Sequence, residues 1–161
     1  MTTHTLPLSP VTPIFVCDVH LGKLARRLRL LGFDTVYRND LEDEEIIGIA
    51  GTDDRVILTW DGGILGNKTV RSYRPESIFP DVQVREVLSA FNLQGRIRPF
   101  SRCLKCNGEL LSVEKGSVIA RVPPRSGRVM EHFWQCRGCG KIYWQGSHYK
   151  TLRRWVDDAV N

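Results

Sequence analysis

Pro13-Ile14-Phe15-Val16-Cys17-Asp18 carries the strongest signal of architecture in this chain, because an apolar run stands directly before a carboxylate. A short continuous apolar run is typical of a buried parallel strand. After it, apolar residues recur at helical spacing, with Lys23, Arg26 and Arg27 on the other side and Gly32 as a stop. The apolar positions are Leu21, Leu24, Ala25, Leu28 and Leu31. The chain is therefore expected to begin with a strand, an acid and an amphipathic helix.

Two further strands are predicted in the N-terminal half. Thr35-Val36-Tyr37 is one, and Arg55-Val56-Ile57-Leu58-Thr59, which ends just before Asp61, is the other. Helices separate and follow them: Asp40 is expected to cap the first, and Asp81 is expected to cap a later one. Their buried positions are Ile46, Ile47 and Ala50 in the first, and Val84, Val87, Leu88 and Phe91 in the second. This βαβαβ order predicts an α/β fold with a parallel sheet.

The C-terminal part is marked by four cysteines in two tight pairs, Cys103/Cys106 and Cys136/Cys139. Two residues between the members of a pair let both thiolates turn towards one point, and two such knuckles complete a tetrahedral zinc site. Two disulfides and a redox dithiol are the alternatives. Residues 1–13 lack the basic and apolar regions of a secretory signal, which favours a reducing cytoplasm. Cys17 stands in an apolar run and is expected to be a buried small hydrophobe.

The intervening residues 107–135 suit a β-hairpin that joins the two knuckles. A site with four thiolates has no open coordination position, so one zinc ion per chain would be structural. The predicted organisation is a flexible leader at 1–12, a parallel-sheet domain at 13–95 and a small β-rich zinc ribbon with a C-terminal helix at 96–161. No stretch is long and apolar enough to predict a membrane span.

Charge divides the chain at the same place. Residues 1–95 carry 10 Lys/Arg and 13 Asp/Glu, and residues 96–161 carry 13 and 5, which gives net charges of −3 and +8 before any metal is counted. A basic ribbon suggests a polyanion, above all nucleic acid. A merely soluble basic surface is the simpler alternative.

Four acids are candidates for chemistry. In an open parallel sheet, ligands gather beyond the carboxyl ends of the strands, where Asp18 and Asp61 are expected. The helix start at Asp40 and Asp43 should overlook the same edge. Clustered carboxylates suit Mg²⁺ or Mn²⁺, which can orient water for attack on a phosphodiester. The alternatives are helix caps for Asp40 and Asp43 and ordinary loop acids for Asp18 and Asp61.

Several motifs in one order resemble a known family. These motifs are the run from Phe15 to Thr35, the segments Asp43-Glu44-Glu45-Ile46, Ile57-Leu58-Thr59-Trp60-Asp61 and Tyr143-Trp144-Gln145-Gly146-Ser147-His148, and the four cysteines. Together they are similar to the Mut-seven C-terminal RNase domain family. That resemblance covers about residues 14–155. It implies a PIN-like nuclease domain followed by a zinc ribbon, and metal-dependent cleavage of RNA.

Carried over by position, the resemblance makes Asp18, Asp43 and Asp61 the ligands of the catalytic ion, with Asp40 and Glu44 as further members of the shell. Two positions depart from the family. Trp60 stands where a basic residue is usual, and it could stack on a base or pack in the interior. His20 stands where Met is frequent, and it could approach the metal, cap a helix or face solvent. A single acid follows the third strand, since Gly62-Gly63 supplies no second carboxylate.

The ribbon supplies the expected contacts to RNA. Its candidate phosphate-binding residues are Arg98, Arg102, Lys105, Arg137, Lys141 and His148, although a structural hydrogen bond is an equal reading for His148. The aromatic residues Phe133, Trp134, Tyr143 and Trp144 could stack on single-stranded RNA or cover the zinc knuckles.

Three functions remain open at this point. The first is a Mg²⁺- or Mn²⁺-dependent ribonuclease with RNA held by the ribbon. The second is a non-catalytic protein that binds RNA or the ribosome through a degenerate acidic site. The third is a module whose basic face meets an acidic protein partner. The oligomeric state is not predicted.

Overall fold

A parallel sheet and a small antiparallel sheet organise the computed structural model, which describes residues 11–161. The predicted leader at 1–12 lies outside the described residues except for Val11 and Thr12. The α/β class and the β-rich ribbon predicted from the sequence are both confirmed. Among residues 11–161, no helix has the length and apolar character needed to cross a membrane.

The parallel sheet has the order β2-β1-β3-β4. Its strands are β1 (Phe15–Cys17), β2 (Thr35–Val36), β3 (Val56–Leu58) and β4 (Ser72–Tyr73). The two central strands pair in register from Phe15 opposite Val56 to Cys17 opposite Leu58, and every residue in them is buried. The sequence did not predict β4, because two half-buried residues without an apolar run leave no pattern.

Helices cover both faces of this sheet. They are α1 (Gly22–Leu30), α2 (Asp43–Asp53), α3 (Gly62–Leu65) and α4 (Pro80–Ala90), and a 3₁₀ turn at Val19–Leu21 precedes α1. The side chains of each strand pack alternately against the helices of one face and of the other, since successive side chains point to opposite faces. Phe15, Cys17 and Leu58 pack with α1 and α4, whereas Val16 and Ile57 pack with α2 and α3. Cys17 is fully buried as predicted, and that burial raises the pKa of its thiol.

Both predicted aspartate caps are wrong. The helix predicted to start at Asp40 starts at Asp43, because Glu42 and Glu45 form a reciprocal capping box there. Asp40 instead binds Arg38, with both N···O distances at 3.0 Å. The later helix starts at Pro80, whose ring suits the first helical position, so Asp81 lies inside the first turn.

The ribbon sheet has the order β5-β6-β7, formed by β5 (Leu110–Val113), β6 (Phe133–Cys136) and β7 (Ile142–Tyr143). The predicted pairing between the knuckles is present as β5 against β6. The residues between β5 and β6 are too many for a simple hairpin turn, and they fold into α5 (Lys115–Val118), a 3₁₀ turn (Ile119–Arg121) and α6 (Pro124–Val129). Val118, Val122 and Phe133 form a small core beneath them.

The last helix, α7 (Ser147–Val160), returns to the parallel-sheet domain. Val156 is buried in the main core, and the guanidinium of Arg27 on α1 lies 5.4 Å from the ring centroid of Trp155. Asp81 joins this contact, because its carboxylate accepts from Arg27 at 2.6 Å and from the Trp155 indole at 2.8 Å. The ribbon is therefore held to the first domain at its end as well as at its beginning.

At the beginning, the first knuckle docks against β2 through the buried guanidinium of Arg29 on α1. Arg29 donates to the carbonyl of Thr35 at 2.8 Å on one side and to the carbonyls of Leu104 and Lys105, at 3.1 and 3.4 Å, on the other. Asn107 completes the seam: its side-chain oxygen accepts the Thr35 amide at 2.9 Å, and its side-chain nitrogen donates to Asp34 at 2.7 Å. The free edge of β2 is thereby covered.

Asp34 connects this seam to the centre of the sheet. Arg55 binds its carboxylate at 2.7 Å and also donates to the carbonyl of Phe15. Burial alone would raise the pKa of Asp34, but hydrogen bonds from Arg55 and Asn107 and the charges of Arg55 and Arg102 outweigh it, so the pKa falls below its ordinary value. The domain boundary predicted at 95/96 stays a prediction; a 3₁₀ turn at Gln94–Arg96 lies there.

Replacing Arg29 by Met should lower the free energy of unfolding by about 2–3 kcal/mol, because buried carbonyls lose a charged donor. Urea unfolding of the zinc-loaded protein measures the change. The control is Arg26→Met on the exposed side of the same helix, which should stay within about 0.5 kcal/mol of the parent. Equal losses in the two variants would show that the seam contributes no special stability.

Candidate metal centre and active site

The four paired cysteines converge in space. All four sulfurs lie within 4.8 Å of one another, with 3.7 Å between Cys103 and Cys139 and 3.3 Å between Cys106 and Cys136. Sulfurs at tetrahedral positions about 2.3 Å from zinc would stand about 3.8 Å apart. The cysteines are free, so the cluster can hold a metal ion such as zinc.

The backbone around the sulfurs has the same design in both knuckles. The amide of Gly108 donates to the Cys106 sulfur at 3.4 Å, and the amide of Gly138 donates to the Cys136 sulfur at 3.3 Å. A Cβ at Gly108 would lie 2.6 Å from the Cys136 sulfur, and one at Gly138 would lie 3.2 Å from the Cys106 sulfur. Space for four sulfurs and one ion therefore depends on glycine at these positions.

Tyr143 gives one thiol a distinct environment. Its hydroxyl lies 3.1 Å from the Cys103 sulfur and accepts from the Leu104 amide at 3.1 Å. Burial opposes ionisation of Cys103, but the hydrogen bonds from Tyr143 and from the amides of Cys106 and Lys105 lower the pKa of this thiol to about 7. Burial and the neighbouring sulfurs raise the pKa of Cys106 to about 12. A cation would have to overcome that second cost, as Zn²⁺ does when it binds thiolates.

The chain changes direction at the carboxyl edge of the parallel sheet. β1 and β3 are neighbours, but the chain leaves β1 towards β2 on one side and β3 towards β4 on the other. Such a change of direction is where open α/β sheets bind ligands. Asp18 directly follows β1, Asp61 follows β3 by three residues, and Asp43 begins α2 after β2.

Asp18 is the most constrained of the three acids, with an exposure of only 4%. One carboxylate oxygen accepts the His20 amide at 2.8 Å. The other accepts the Thr59 hydroxyl at 2.6 Å and the Trp60 amide at 3.1 Å. A carboxylate offers about four lone-pair positions, so three donors fix its orientation and leave limited capacity for a cation.

Thr59 connects Asp18 to Asp61. Its hydroxyl donates to Asp18 and accepts the Asp61 amide at 2.9 Å. The Asp61 carboxylate is exposed and caps α3 by accepting the Ile64 amide at 2.9 Å. Asp43 is exposed, and its carboxylate has no hydrogen bond or ion pair with the described residues. Asp61 and Asp43 therefore keep most of their acceptor capacity.

The structure brings these acids to one edge but not into one tight ligand set. Among the described residues, the cysteines alone form a group of three or more potential ligands whose atoms lie within 4.8 Å of one another. The metal-ligand roles of Asp18, Asp43 and Asp61 stay predictions. Asp40 and Glu44 are both exposed, and Asp40 is engaged by Arg38.

The two positions that depart from the family pattern are now placed. The indole of Trp60 donates to the Pro75 carbonyl at 2.6 Å, and its ring packs on the main core. The structure thus favours the packing alternative for Trp60. The side chain of His20 is exposed, and its backbone amide is what reaches Asp18.

The six candidate RNA contacts do not share one environment. Arg102 is largely structural, since it donates to the carbonyls of Gly32 and Asn107. Arg98 and Lys105 are exposed, and Arg137 pairs with Glu109 at 3.4 Å. Lys141 lies 5.1 Å from the Tyr143 ring centroid, and His148 is exposed at the start of α7. Their contacts with RNA stay predictions.

Comparison with known families decides the identity. The model of the Mut7-C RNAse domain matches residues 13–156. The chain belongs to the Mut7-C RNAse domain family. No match was found among the curated proteins or the solved structures. The resemblance seen in the sequence is confirmed, and membership of Mut7-C implies RNA as the class of substrate.

Sequence reasoning missed several residues of these sites in the Mut7-C chain. Thr59 gave a signal that could have been used, since a hydroxyl two residues before Asp61 at a strand end can bridge neighbouring acids. Asn107 at φ 74° follows the second cysteine of its knuckle, where a left-handed residue is common. Tyr143 was considered for stacking on RNA, and only the structure shows its hydroxyl at a sulfur of the cysteine cluster.

Replacing Gly108 by Ala should weaken zinc binding about tenfold, because the new methyl group would displace the Cys136 sulfur. Competition with a zinc chelator measures the affinity. Gly116→Ala is the matched control in the same ribbon, since a Cβ there meets nothing within 4 Å. Cys136→Ser should lose the metal outright; one zinc per chain retained by that variant would contradict the four-sulfur site.

Proposed function

We propose that this protein is a Mg²⁺- or Mn²⁺-dependent ribonuclease that hydrolyses phosphodiester bonds of RNA at the carboxyl edge of its parallel sheet. The observation that carries this proposal is the connected arrangement Asp18–Thr59–Asp61 at the carboxyl ends of β1 and β3, with Asp43 at the neighbouring helix start. Membership of an RNase domain family supports it independently. Zinc in the ribbon is proposed as structural, and the cytoplasm as the location, because the cluster needs reduced thiols.

The acids divide the work according to their environments. Asp18 is held by three protein donors and would supply a fixed anchor. Asp61 and Asp43 are exposed and would supply the remaining oxygens. A divalent cation, when bound, orients water for in-line attack and offsets charge on the phosphate and the departing oxygen.

A second function is favoured by one specific observation. Asp18 already has three protein donors, and the three carboxylates do not form a tight group among the described residues. Those facts also suit a protein that binds RNA without cutting it, with Asp18 serving as a cap and strand tie. Cleavage assays separate the two functions.

Asp61→Asn should lower the rate of RNA cleavage at least about 100-fold, equivalent to about 2.7 kcal/mol of transition-state stabilisation. Asparagine keeps the oxygen that accepts the Ile64 amide, so folding should be preserved. The assay uses zinc-loaded full-length protein, end-labelled single-stranded RNA and added Mn²⁺.

The control for that experiment is Asp54→Asn, which alters an exposed acid at the other end of α2, where asparagine tolerates the left-handed conformation. It should retain the parent rate within about twofold. Equal cleavage by the Asp61 and Asp54 variants would remove the proposed site. Absence of cleavage by every form, together with tight salt-sensitive binding of RNA, would establish the non-catalytic function.

Thr59→Val should reduce kcat about tenfold while KM changes little, because a methyl group cannot connect Asp18 to the Asp61 amide. Thr59 is a positioning residue, so the conservative variant Thr59→Ser should restore most of the rate. The loss of stability should be about 1 kcal/mol by urea unfolding. If Thr59→Val and Thr59→Ser differ in stability but have the same kcat, the role of Thr59 is structural only.

A further inference from the structure

A concave site that contains neither the sulfurs nor the acids borders the domain seam. It is a groove of about 930 Å³ between α1, residues 99–104, α6, the ribbon sheet and the start of α7. We refer to it as the junction groove. Arg26 and Leu30 of α1 form one wall, and Trp134 and Tyr143 of the ribbon belong to the other. It is complete only when both parts of the chain are docked.

The charge of the junction groove has one sign. Five Lys or Arg side chains line it, namely Arg26, Arg102, Arg125, Lys141 and Arg153, and no Asp or Glu of the described chain is among its lining residues. Arg26 and Arg125 form no ion pair with any residue in 11–161. Arg153 pairs with Asp157 at 3.1 Å and Arg102 lies 3.9 Å from Asp34, so Arg26 and Arg125 are the arginines of the groove whose charge is left for a ligand. Like charges of this kind favour an anionic ligand.

The ribbon wall also presents flat aromatic surface. Trp134 on β6 and Tyr143 on β7 are directly paired across the sheet, so their side chains share a face. Trp134 belongs to none of the three apolar cores, whereas Trp144 packs against the small ribbon core. The Trp134 indole makes no hydrogen bond within the described part of the chain. This ring is therefore half-buried outside the three cores and lines the groove.

We propose that the junction groove binds a short unpaired stretch of RNA, with phosphates against the cations and a base stacked on Trp134. This proposal rests on the proposed function, since it names where that substrate is held. Aromatic stacking beside cations is how single strands are bound without reading sequence. A groove of this volume is of the size that holds small ligands, which suits a few unpaired nucleotides.

Its position relative to the acids is set by α1. That helix begins directly after the 3₁₀ turn capped by Asp18 and carries Arg26 and Leu30 about 6 and 12 Å further along its axis. A strand leaving the groove along α1 reaches the acidic edge. Arg98, Lys105 and Arg137, which the charge pattern of the ribbon suggested, do not line this groove, and Arg26 of the first domain does.

Fluorescence anisotropy with a labelled single-stranded RNA, in the absence of added Mg²⁺ or Mn²⁺, tests the proposal on the zinc-loaded full chain. Arg26→Glu/Arg125→Glu should weaken binding at least tenfold and flatten the dependence of log Kd on log salt by about 1.4, which corresponds to two lost phosphate contacts. The matched control is Lys68→Glu/Arg85→Glu, which makes the same charge change at exposed positions outside the groove. It should bind within about threefold of the parent.

A second variant tests the stacking surface independently of charge. Trp134→Leu keeps an apolar side chain on β6 and should weaken binding about three- to tenfold with an unchanged salt dependence. Zinc content and thermal midpoint confirm that each variant is folded.

The outcomes separate this proposal from the catalytic one. Asp61→Asn should bind RNA like the parent while losing cleavage. Groove variants that bind RNA as tightly as the Lys68/Arg85 control would overturn the junction groove, even if cleavage at the acids is intact. Binding of a labelled polyglutamate peptide in preference to RNA would also overturn it and would assign the groove to an acidic protein. Loss of binding in the groove variants, with no cleavage by any form, would uphold the groove and remove the nuclease.

Discussion

The buried guanidinium of Arg29 is the interaction on which the arrangement of the two parts depends. A charge in an apolar interior is costly unless its donors are satisfied, and here they are satisfied by carbonyls from two separate elements, the β2 strand and the first knuckle. Those knuckle carbonyls belong to Leu104 and Lys105, which lie between Cys103 and Cys106. The knuckle that carries two sulfurs of the cluster is therefore tied to Arg29 on α1, which lies 75 residues from Leu104 in sequence.

The same coupling explains how a small ribbon becomes part of a larger binding surface. The seam at Arg29 and Asn107 fixes its first knuckle, and α7 fixes its end through Val156 and Trp155. Two attachments leave little freedom for the ribbon to turn against α1. The cations and aromatic rings between them are consequently presented as one surface, which isolated charges on a flexible module could not provide.

The two candidate ligand sets of the chain differ in the character of their atoms and in their spacing. Sulfurs in the ribbon form a closed, mutually adjacent set, shaped by Gly108 and by the amides that point at the sulfurs. Carboxylates at the sheet edge are instead tied to helix starts, and only Asp18 is withdrawn from solvent. The closed set suits stability, and the open set leaves acceptor positions for a hard cation and a phosphate.

The sequence by itself determined the central strands, the first helix, the acids at the strand ends and the sulfur cluster, because periodic burial and short-range spacing are local properties. It misplaced the starts of α2 and α4, since the competing signals, the cap at Glu42 and the first helical position at Pro80, are as local as Asp40 and Asp81 and the pattern could not rank them. Only the tertiary structure decided that Arg29 is buried rather than part of the solvated face, that Trp60 packs, and that Arg26 and Trp134 face one groove. Those outcomes depend on which polar and aromatic groups meet across long separations in sequence, and the free energy of such contacts is set by burial and partner geometry that no local pattern contains.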